Sequence, residues 1–325
     1  MKKSIPLSVM VAEQSLAPDL SFLADHRRPW VMGVLNATPD SFYALSRRGT
    51  ADTAEALAGE MGVAGVDLID IGGESTRPGA QDVSSDRELE RILPVLEALH
   101  RRWPHLPLSI DTQKSAVARE ALAHGAGLIN DISALRHDPE MAAVIAAAQC
   151  PVILMHMQGT PTTMQQEPRY ADVVKDVKEF FEERLAFAIA HGIREERIIL
   201  DPGIGFGKTV DHNLIILKRL KEFQSFGRPL LVGVSRKSFI GKLLAPSSPD
   251  PFSLKYGEGG GLSLLKGEGG RRPGEGVLPP EERLEGSLAA ALWAVQQGAS
   301  GLRVHDVRST RRALSIWESI RTAPC

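Results

Sequence analysis

Charged and amide side chains recur in this sequence at the ends of short apolar runs. Asp111 and Asp201 each come directly after such a run, and Arg303 and His305 alternate through the end of another. A carboxylate can accept two parallel hydrogen bonds from a row of N–H donors, and an arginine side chain can fork onto the oxygens of an anion such as a phosphate. Each carboxylate could instead cap the helix that follows its run. These residue types therefore allow a binding site or a purely structural role.

The apolar runs occur eight times, and helix-length stretches separate them. Each run is nearly continuous Val, Ile and Leu, which is typical of a parallel strand buried on both faces. The runs and the polar residues after them are 31–35 before Asn36, 66–69 before Asp70, 108–110 before Asp111, 128–129 before Asn130, 152–155 before His156, 198–200 before Asp201, 230–234 before Ser235 and 302–304 before His305. Eight such units predict a single-domain α/β fold, the (β/α)8 TIM barrel, whose active site lies at the carboxyl ends of the strands.

The stretches between the runs define the predicted domain organisation. Helices are predicted at 52–63, 86–102, 114–124, 139–149, 171–191, 211–223, 282–297 and 308–321, with a short one at 239–244. Residues 1–28 lack clear periodicity and are interpreted as an N-terminal extension, so the barrel takes 29–323. The segment 245–284 holds 9 Gly and 6 Pro in 40 positions. Such a composition buries too little apolar surface to order itself, which predicts a flexible insertion after strand 7.

Composition excludes several classes of function. The chain has 325 residues, a net charge of −2 and 5% aromatic residues, so the basic stripe and stacking aromatics of a nucleic-acid-binding protein are missing. No run approaches the roughly 20 apolar residues that span a bilayer. The two cysteines, Cys150 and Cys325, form no disulfide or metal pattern, and Cys150 is expected to be a small buried hydrophobe. This cysteine usage fits the reducing cytoplasm, where we expect the protein to lie.

Five motifs together resemble those of one enzyme family. They are Asn36–Phe42, Asp70–Ala80, Asp201–Lys208, Ser235–Ser238 and Arg303–Asp306. In this order they are similar to dihydropteroate synthase over nearly the whole barrel. The resemblance implies a TIM-barrel transferase that joins 6-hydroxymethyl-7,8-dihydropterin diphosphate to 4-aminobenzoate and releases diphosphate, a step of folate biosynthesis. It also implies a homodimer formed through the last helices, and competition by sulfonamides, which mimic aminobenzoate.

The resemblance divides the candidate residues between the two substrates. Those implied for the pterin ring are Asp111, Asn130, Met155, Asp201, Phe206 and Lys237. Those implied for aminobenzoate are Thr76, Arg77, Pro78, Phe206, Lys237 and Ser238. Those implied for the diphosphate are Asn36, Arg77, Arg303 and His305, with Asn36 also binding Mg²⁺. Because Mg²⁺ prefers oxygen ligands and keeps several waters, one protein amide is sufficient.

The implied mechanism needs no protein nucleophile. Cationic groups stabilise the charge that builds on the diphosphate, the C–O bond loosens, and the amine of aminobenzoate attacks the methylene carbon. Asp111 and Asp201, both as anions, would favour the transient pterin cation. These two residues with Lys237, Arg303 and His305 are the predicted catalytic set.

One departure from the family pattern leaves alternatives open. After Asp40-Ser41-Phe42 the family usually continues Ser-Asp-Gly-Gly, whereas this chain has Tyr43-Ala44-Leu45-Ser46. The change could stiffen a loop that closes over the reactants, so a degenerate paralogue that binds pterin without turnover is one alternative. A pterin-dependent methyltransferase, which would share the pterin-binding Asp and Asn residues, is another. His156 fits a structural role and a site role equally well.

Overall fold

The computed structural model describes residues 19–24, 28–37, 47–76, 79, 82–245 and 277–324. Most of the predicted N-terminal extension and residues 246–276 of the predicted insertion lie outside these ranges, as does the altered loop at 43–46. The domain boundaries at 28, 29, 323, 245 and 284 therefore stay predictions. Residues 277–284 are described, and the N–H of Leu278 donates to the carbonyl of Gly241 at 3.1 Å.

Within the described ranges, eight parallel strands form the sheet. They are β1 (Trp30–Asn36), β2 (Leu68–Gly72), β3 (Leu108–Asp111), β4 (Leu128–Asp131), β5 (Val152–Met155), β6 (Ile198–Asp201), β7 (Leu231–Val232) and β8 (Gly301–Val304). Their order is β6-β5-β4-β3-β2-β1-β8-β7. The two outer strands meet where Leu200 forms a parallel bridge with Leu230 and donates its N–H to the carbonyl of Pro229 at 3.0 Å. The predicted (β/α)8 barrel is confirmed, with its weakest seam between β6 and β7.

Helices follow the strands around the outside of the barrel. They are α1 (Arg47–Val63), α2 (Ser85–Arg102), α3 (Ser115–Ala123), α4 (Met141–Ala148), α5 (Val173–Ala190), α6 (Val210–Lys218), α7 (Ser238–Leu244), α8 (Leu284–Gln296) and α9 (Val307–Arg321). Each matches a predicted helix, but α6 is shorter than predicted because the chain continues as a 3-10 helix over Leu220–Phe226. No helix among the described residues is long and apolar enough to cross a membrane.

Side chains fill the lower half of the barrel interior. The buried cluster there consists of Leu23, Trp30, Met32, Leu68, Leu128, Ile153, Ile199 and Leu231. The indole of Trp30 occupies the space beside β8, where a Cβ on Gly301 would stand 2.3 Å from the ring, so this position requires glycine. A second, larger cluster packs the outer face of the sheet against the helices. This cluster forms an apolar floor inside the barrel, and the floor ends below the carboxyl ends of the strands.

Candidate active site

The alternation of side chains along each strand places one ring of residues above the apolar floor. Leu68 belongs to the floor, so Asp70, two residues later on the same strand, faces the interior as well. The same argument applies to the other strands. We call the inward-facing set the inner rim: it comprises Asn36, Asp70, Asp111, Asn130, Met155, Asp201 and Arg303. The sheet register aligns them, with Asp111 beside Asn130 and Met155 beside Asp201.

Arg303 joins two carboxylates of the inner rim. Its Nε donates to Oδ2 of Asp70 at 2.7 Å, and its Nη2 donates to Oδ2 of Asp111 at 2.8 Å. The amide of Asn130 donates to the same Asp70 oxygen at 3.0 Å. Asp70 is fully buried. Asp70 belongs to one of the sequence motifs, but no role was predicted for it. Its inward position could have been predicted from its two-residue spacing to Leu68.

Asp201 and Lys237 face the same space from β6 and the start of α7. Oδ1 of Asp201 accepts the N–H of Gly203 at 2.7 Å. The ammonium of Lys237 donates to the carbonyl of Ile204 at 2.7 Å and lies 4.0 Å from the ring centroid of Phe206, a cation–π contact. The Asp201 carboxylate accepts from Gly203 in a loop and does not cap a helix, so the capping alternative fails for this residue. Nor does Asp111 cap α3, because Asp138 accepts the N–H of Ser115 there.

Burial sets the protonation of these groups. Removal from water raises the pKa of Asp111 to about 7, although Arg303 opposes the shift. It also raises the pKa of Asp201. Burial lowers the pKa of Lys237 to about 7, with Asp201 opposing that shift. Titratable groups whose pKa values move toward neutrality inside a polar rim are typical of an active site.

His305 stands beyond Arg303 on the same side of β8. Its Nδ1 lies 3.1 Å from Oγ of Ser235, and its backbone N–H donates to that hydroxyl at 3.2 Å. Burial, followed by the charges of Arg303 and Arg236, lowers the pKa of His305 to about 4. The imidazole is therefore neutral at pH 7 and can donate one N–H to an anion.

The loop after β6 is held from behind by a buried lysine. The side-chain nitrogen of Lys208 lies 3.0 Å from the carbonyl of Gly203, 2.9 Å from that of Phe206 and 2.9 Å from Nδ1 of His156. Gly203 has φ +67°, and a Cβ there would stand 1.9 Å from the carbonyl oxygen of His156. His156 follows inward-facing Met155, so it points outward, where its ring packs edge-on against Phe180. The structure favours the structural role for His156.

The remaining candidates divide into those that the structure places and those outside its ranges. Met155 is buried in a small apolar cluster against which Phe206 packs, so the two predicted apolar walls are adjacent. Ser238 is exposed at the start of α7, and Thr76 is half-buried after β2. Arg77 and Pro78 lie outside the described residues. Asn36 ends β1, and its Oδ1 lies 3.9 Å from the point where a Cβ on Gly72 would stand.

Comparison with known proteins agrees with this geometry. The family described as pterin binding enzyme matches residues 32–305. The dihydropteroate synthase of Escherichia coli strain K12 is 44% identical over 301 residues, which cover 92% of this chain and 94% of that protein. Among solved structures, the Yersinia pestis dihydropteroate synthase with a sulfonamide drug has a TM-score of 0.78 at 43% identity and covers 92% of this chain and 96% of its own. The Xanthomonas albilineans enzyme in complex with 7,8-dihydropteroate has a TM-score of 0.73 at 38% identity, with the same coverage of 92% and 96%. The chain therefore belongs to the pterin-binding enzyme family and, within it, to the dihydropteroate synthases.

Proposed function

We propose that this chain joins 6-hydroxymethyl-7,8-dihydropterin diphosphate to 4-aminobenzoate at the inner rim and releases 7,8-dihydropteroate and diphosphate. The observation that carries the proposal is the combination of acidic and cationic groups on one apolar floor, with Asp111 and Asp201 facing the same space as Lys237 and Arg303. The relatives solved with a sulfonamide drug and with 7,8-dihydropteroate support this choice of substrates.

The pterin ring would bind through the acidic side of the rim. Its amino-pyrimidine edge presents a row of N–H donors, and the Asp201 carboxylate can accept two of them in parallel. Asp111 and Asn130 would bond the rest of the heterocycle. Lys237 would donate to a ring oxygen or nitrogen, and Met155 would supply an apolar wall. Burial of these groups strengthens each hydrogen bond because water does not compete for it.

The diphosphate would bind on the β8 side of the rim. Arg303 uses Nε and one Nη2 hydrogen on carboxylates, which leaves Nη1 to donate to phosphate oxygens, while His305 donates from a neutral ring. The Asn36 oxygen and Oδ2 of Asp111 each lie 3.9 Å from the position of a Cβ on Gly72, so oxygen ligands suitable for Mg²⁺ border that point.

Mg²⁺ fits this oxygen-rich corner as an ion held partly by the substrate. Within the ranges that the structure describes, no three His, Cys, Asp or Glu side chains stand close enough to form a metal site of their own. Asn36 would therefore supply one protein ligand, and phosphate oxygens and water the others. When bound, the ion would neutralise part of the diphosphate charge.

The chemistry would be a displacement at the methylene carbon. The C–O bond breaks, the diphosphate leaves with the bonding electrons, and the neutral amine of aminobenzoate forms the new C–N bond and then loses a proton. The Asp111 and Asp201 carboxylates would stabilise positive charge on the pterin, and Arg303 would stabilise negative charge on the leaving group. Thr76, Arg77, Pro78, Phe206, Lys237 and Ser238 would shape the aminobenzoate pocket, where sulfonamides would compete.

A homodimer in the cytoplasm completes the proposal. Four apolar side chains of α6, α7 and α8 are between 37% and 49% exposed and border an apolar cleft of about 300 Å³: Leu214, Leu243, Leu244 and Trp293. A second copy of the chain would cover them. Light scattering on the full chain and on a variant lacking residues 247–275 tests this, since a monomer in both cases contradicts the dimer.

The decisive experiment for the function is a coupled assay of diphosphate release. Purified protein is incubated with both substrates, with and without Mg²⁺, and release is expected only when both substrates and the ion are present. Binding of pterin diphosphate by calorimetry without any release would instead favour a paralogue that lost turnover, for which the sequence at 43–46 is the first candidate cause.

A further inference from the structure

A buried ion cluster lies beneath the loop that follows β2. The Lys114 ammonium donates to Oε2 of Glu74 at 2.5 Å and to Oε2 of Glu88 at 2.6 Å. The Lys114 and Glu74 side chains are each 14% exposed, and that of Glu88 is fully buried. We call these three residues the clamp. The three belong to different elements: the loop after β2, the helix α2, and the segment between β3 and α3.

The clamp joins the first and last described parts of the β2–α2 loop. While Oε2 of Glu74 holds Lys114, its Oε1 accepts the N–H of Val83 at 2.8 Å, so one carboxylate ties together positions nine residues apart. Arg91 on α2 donates to the carbonyl of Gly73 at 2.7 Å. A Cβ on Gly73 would stand 2.7 Å from Ile92 and 3.1 Å from the carbonyl of Glu88, so the start of the loop is pressed against α2.

The same clamp connects the loop to the inner rim. Lys114 comes three residues after Asp111, and its backbone N–H donates to Oγ1 of Thr112 at 3.2 Å. Asp111 is the β3 carboxylate that Arg303 contacts. On the other side, Glu74 stands two residues before Thr76, the first residue of the predicted aminobenzoate set. A single ammonium thus lies between the strand end assigned to pterin and the loop assigned to aminobenzoate.

Charge makes the clamp sensitive to the loss of Lys114. Burial raises the pKa of Glu88, and Lys114 opposes that shift. Burial lowers the pKa of Lys114, but its hydrogen bonds to the two glutamates outweigh this and leave the pKa above its ordinary value. Without the ammonium, Glu74 and Glu88 would be two neighbouring carboxylates with little water around them, so the more mobile one would move away. Glu74 would be the one to move, because it lies in a loop whereas Glu88 is part of α2.

We propose that Lys114 is a positioning residue that, through Glu74, holds the β2–α2 loop in place for 4-aminobenzoate and sulfonamides. The inference rests on the proposed function, and it concerns only the second substrate. The pterin ring would keep its contacts in a variant that lacks Lys114, because Asp111 and Asn130 are held by Arg303 and Asp70.

The test compares Lys114→Met with the wild-type enzyme in steady-state assays and in calorimetry. We expect the KM for aminobenzoate and the Kd for a sulfonamide to rise about tenfold or more, since a shift of about 1 Å in a positioning group can cost 100-fold, while the Kd for pterin diphosphate changes less than about twofold. Lys175→Met is the matched control, because it removes an exposed lysine whose partner is Glu179 at 3.7 Å. It should leave all three constants unchanged.

A second variant keeps the test decisive if Lys114→Met does not fold. Lys114 and Val83 bond different oxygens of Glu74, and Glu74→Gln replaces one of these oxygens with an NH₂ donor. The variant therefore loosens the loop but keeps the Lys114–Glu88 pair, and it should raise the same two constants. An unchanged aminobenzoate KM in either folded variant, or an equal rise for both substrates, overturns the proposal. A wild-type enzyme that releases no diphosphate overturns the proposed function, and with it the inference.

Discussion

Replacing Asp201 with asparagine separates binding from folding at the inner rim. In the wild-type chain Oδ1 of Asp201 accepts the N–H of Gly203 at 2.7 Å, and the carboxylate still has acceptor capacity for two substrate donors. The side-chain amide of the variant has only one oxygen. If that oxygen keeps the bond to Gly203, the NH₂ group faces the N–H donors of the pterin.

The magnitude follows from the bonds lost. A hydrogen bond to a charged group contributes about 1.5–3 kcal/mol, so losing most of two such bonds weakens pterin binding by roughly 3–4 kcal/mol, or about 100- to 1,000-fold. Stability should move the other way. Burial raises the pKa of Asp201, so at neutral pH its charge disfavours the folded state, and the neutral amide relieves that cost. We expect Asp201→Asn to have an unchanged or higher Tm.

Asp131→Asn provides the matched control for this experiment. Asp131 is fully buried on the neighbouring outward-facing position of β4, and its carboxylate accepts from the backbone and hydroxyl of Ser133 and from the backbone of Leu135. Burial raises the pKa of Asp131 as well, but both of its oxygens accept protein hydrogen bonds, and the single oxygen of asparagine cannot keep all three. This variant should therefore lose about 1–3 kcal/mol of stability but keep its pterin affinity. Calorimetry with pterin diphosphate and thermal unfolding give both quantities. Near-normal affinity in Asp201→Asn would remove Asp201 from the pterin site.

Three further predictions concern the loops and the titrating groups. Gly203→Ala should prevent stable folding because its Cβ would lie 1.9 Å from a main-chain oxygen. Gly227 has a similar φ of +62°, but no described atom lies within 4 Å of the position of a Cβ there. Gly227→Ala should therefore lower the free energy of unfolding by only about 1 kcal/mol, as measured by urea denaturation. The pKa values of Asp111 and Lys237 are both about 7. The kcat/KM for pterin diphosphate should therefore fall at acid pH, as Asp111 gains a proton, and at alkaline pH, as Lys237 loses one. Lys237→Arg should abolish the alkaline fall, and an alkaline fall that persists in this variant contradicts the assignment. Burial holds the pKa of Lys208 well below its ordinary value, so the unfolded chain binds more protons than the folded one. The free energy of unfolding of the wild-type protein should therefore rise from pH 7 to about pH 9.5, relative to that of Lys208→Met. Urea denaturation at the two pH values measures this difference.

Local patterns in the sequence predict much of this structure. The eight strands and their helices follow from apolar runs separated by helical periodicity, and the inner rim follows from the two-residue period of a strand. The same period explains why His156 belongs to the outer face, since it follows inward-facing Met155. Asp70 was within reach of this argument as well.

What could not be predicted depends on contacts between distant parts of the chain. Arg303 was expected to serve the diphosphate, but its Nε and Nη2 also bind Asp70 and Asp111, which are 233 and 192 residues away. That arrangement depends on how β8 is staggered against β1, β2 and β3 when the barrel closes. Asp138 replaces the expected cap of α3 for a similar reason, because it reaches Ser115 from the loop after β4.

The distribution of charge on the inner rim matches the charge that the proposed reaction separates. Breaking the C–O bond leaves positive charge on the pterin methylene and adds negative charge to the diphosphate. The carboxylates of Asp111 and Asp201 lie on β3 and β6, whereas Arg303 and His305 lie on β8 or directly after it, so each developing charge would meet groups of the opposite sign or hydrogen-bond donors. The bond from Arg303 to the fully buried Asp70 fixes the guanidinium before the substrate arrives, so little reorganisation is needed when the C–O bond breaks.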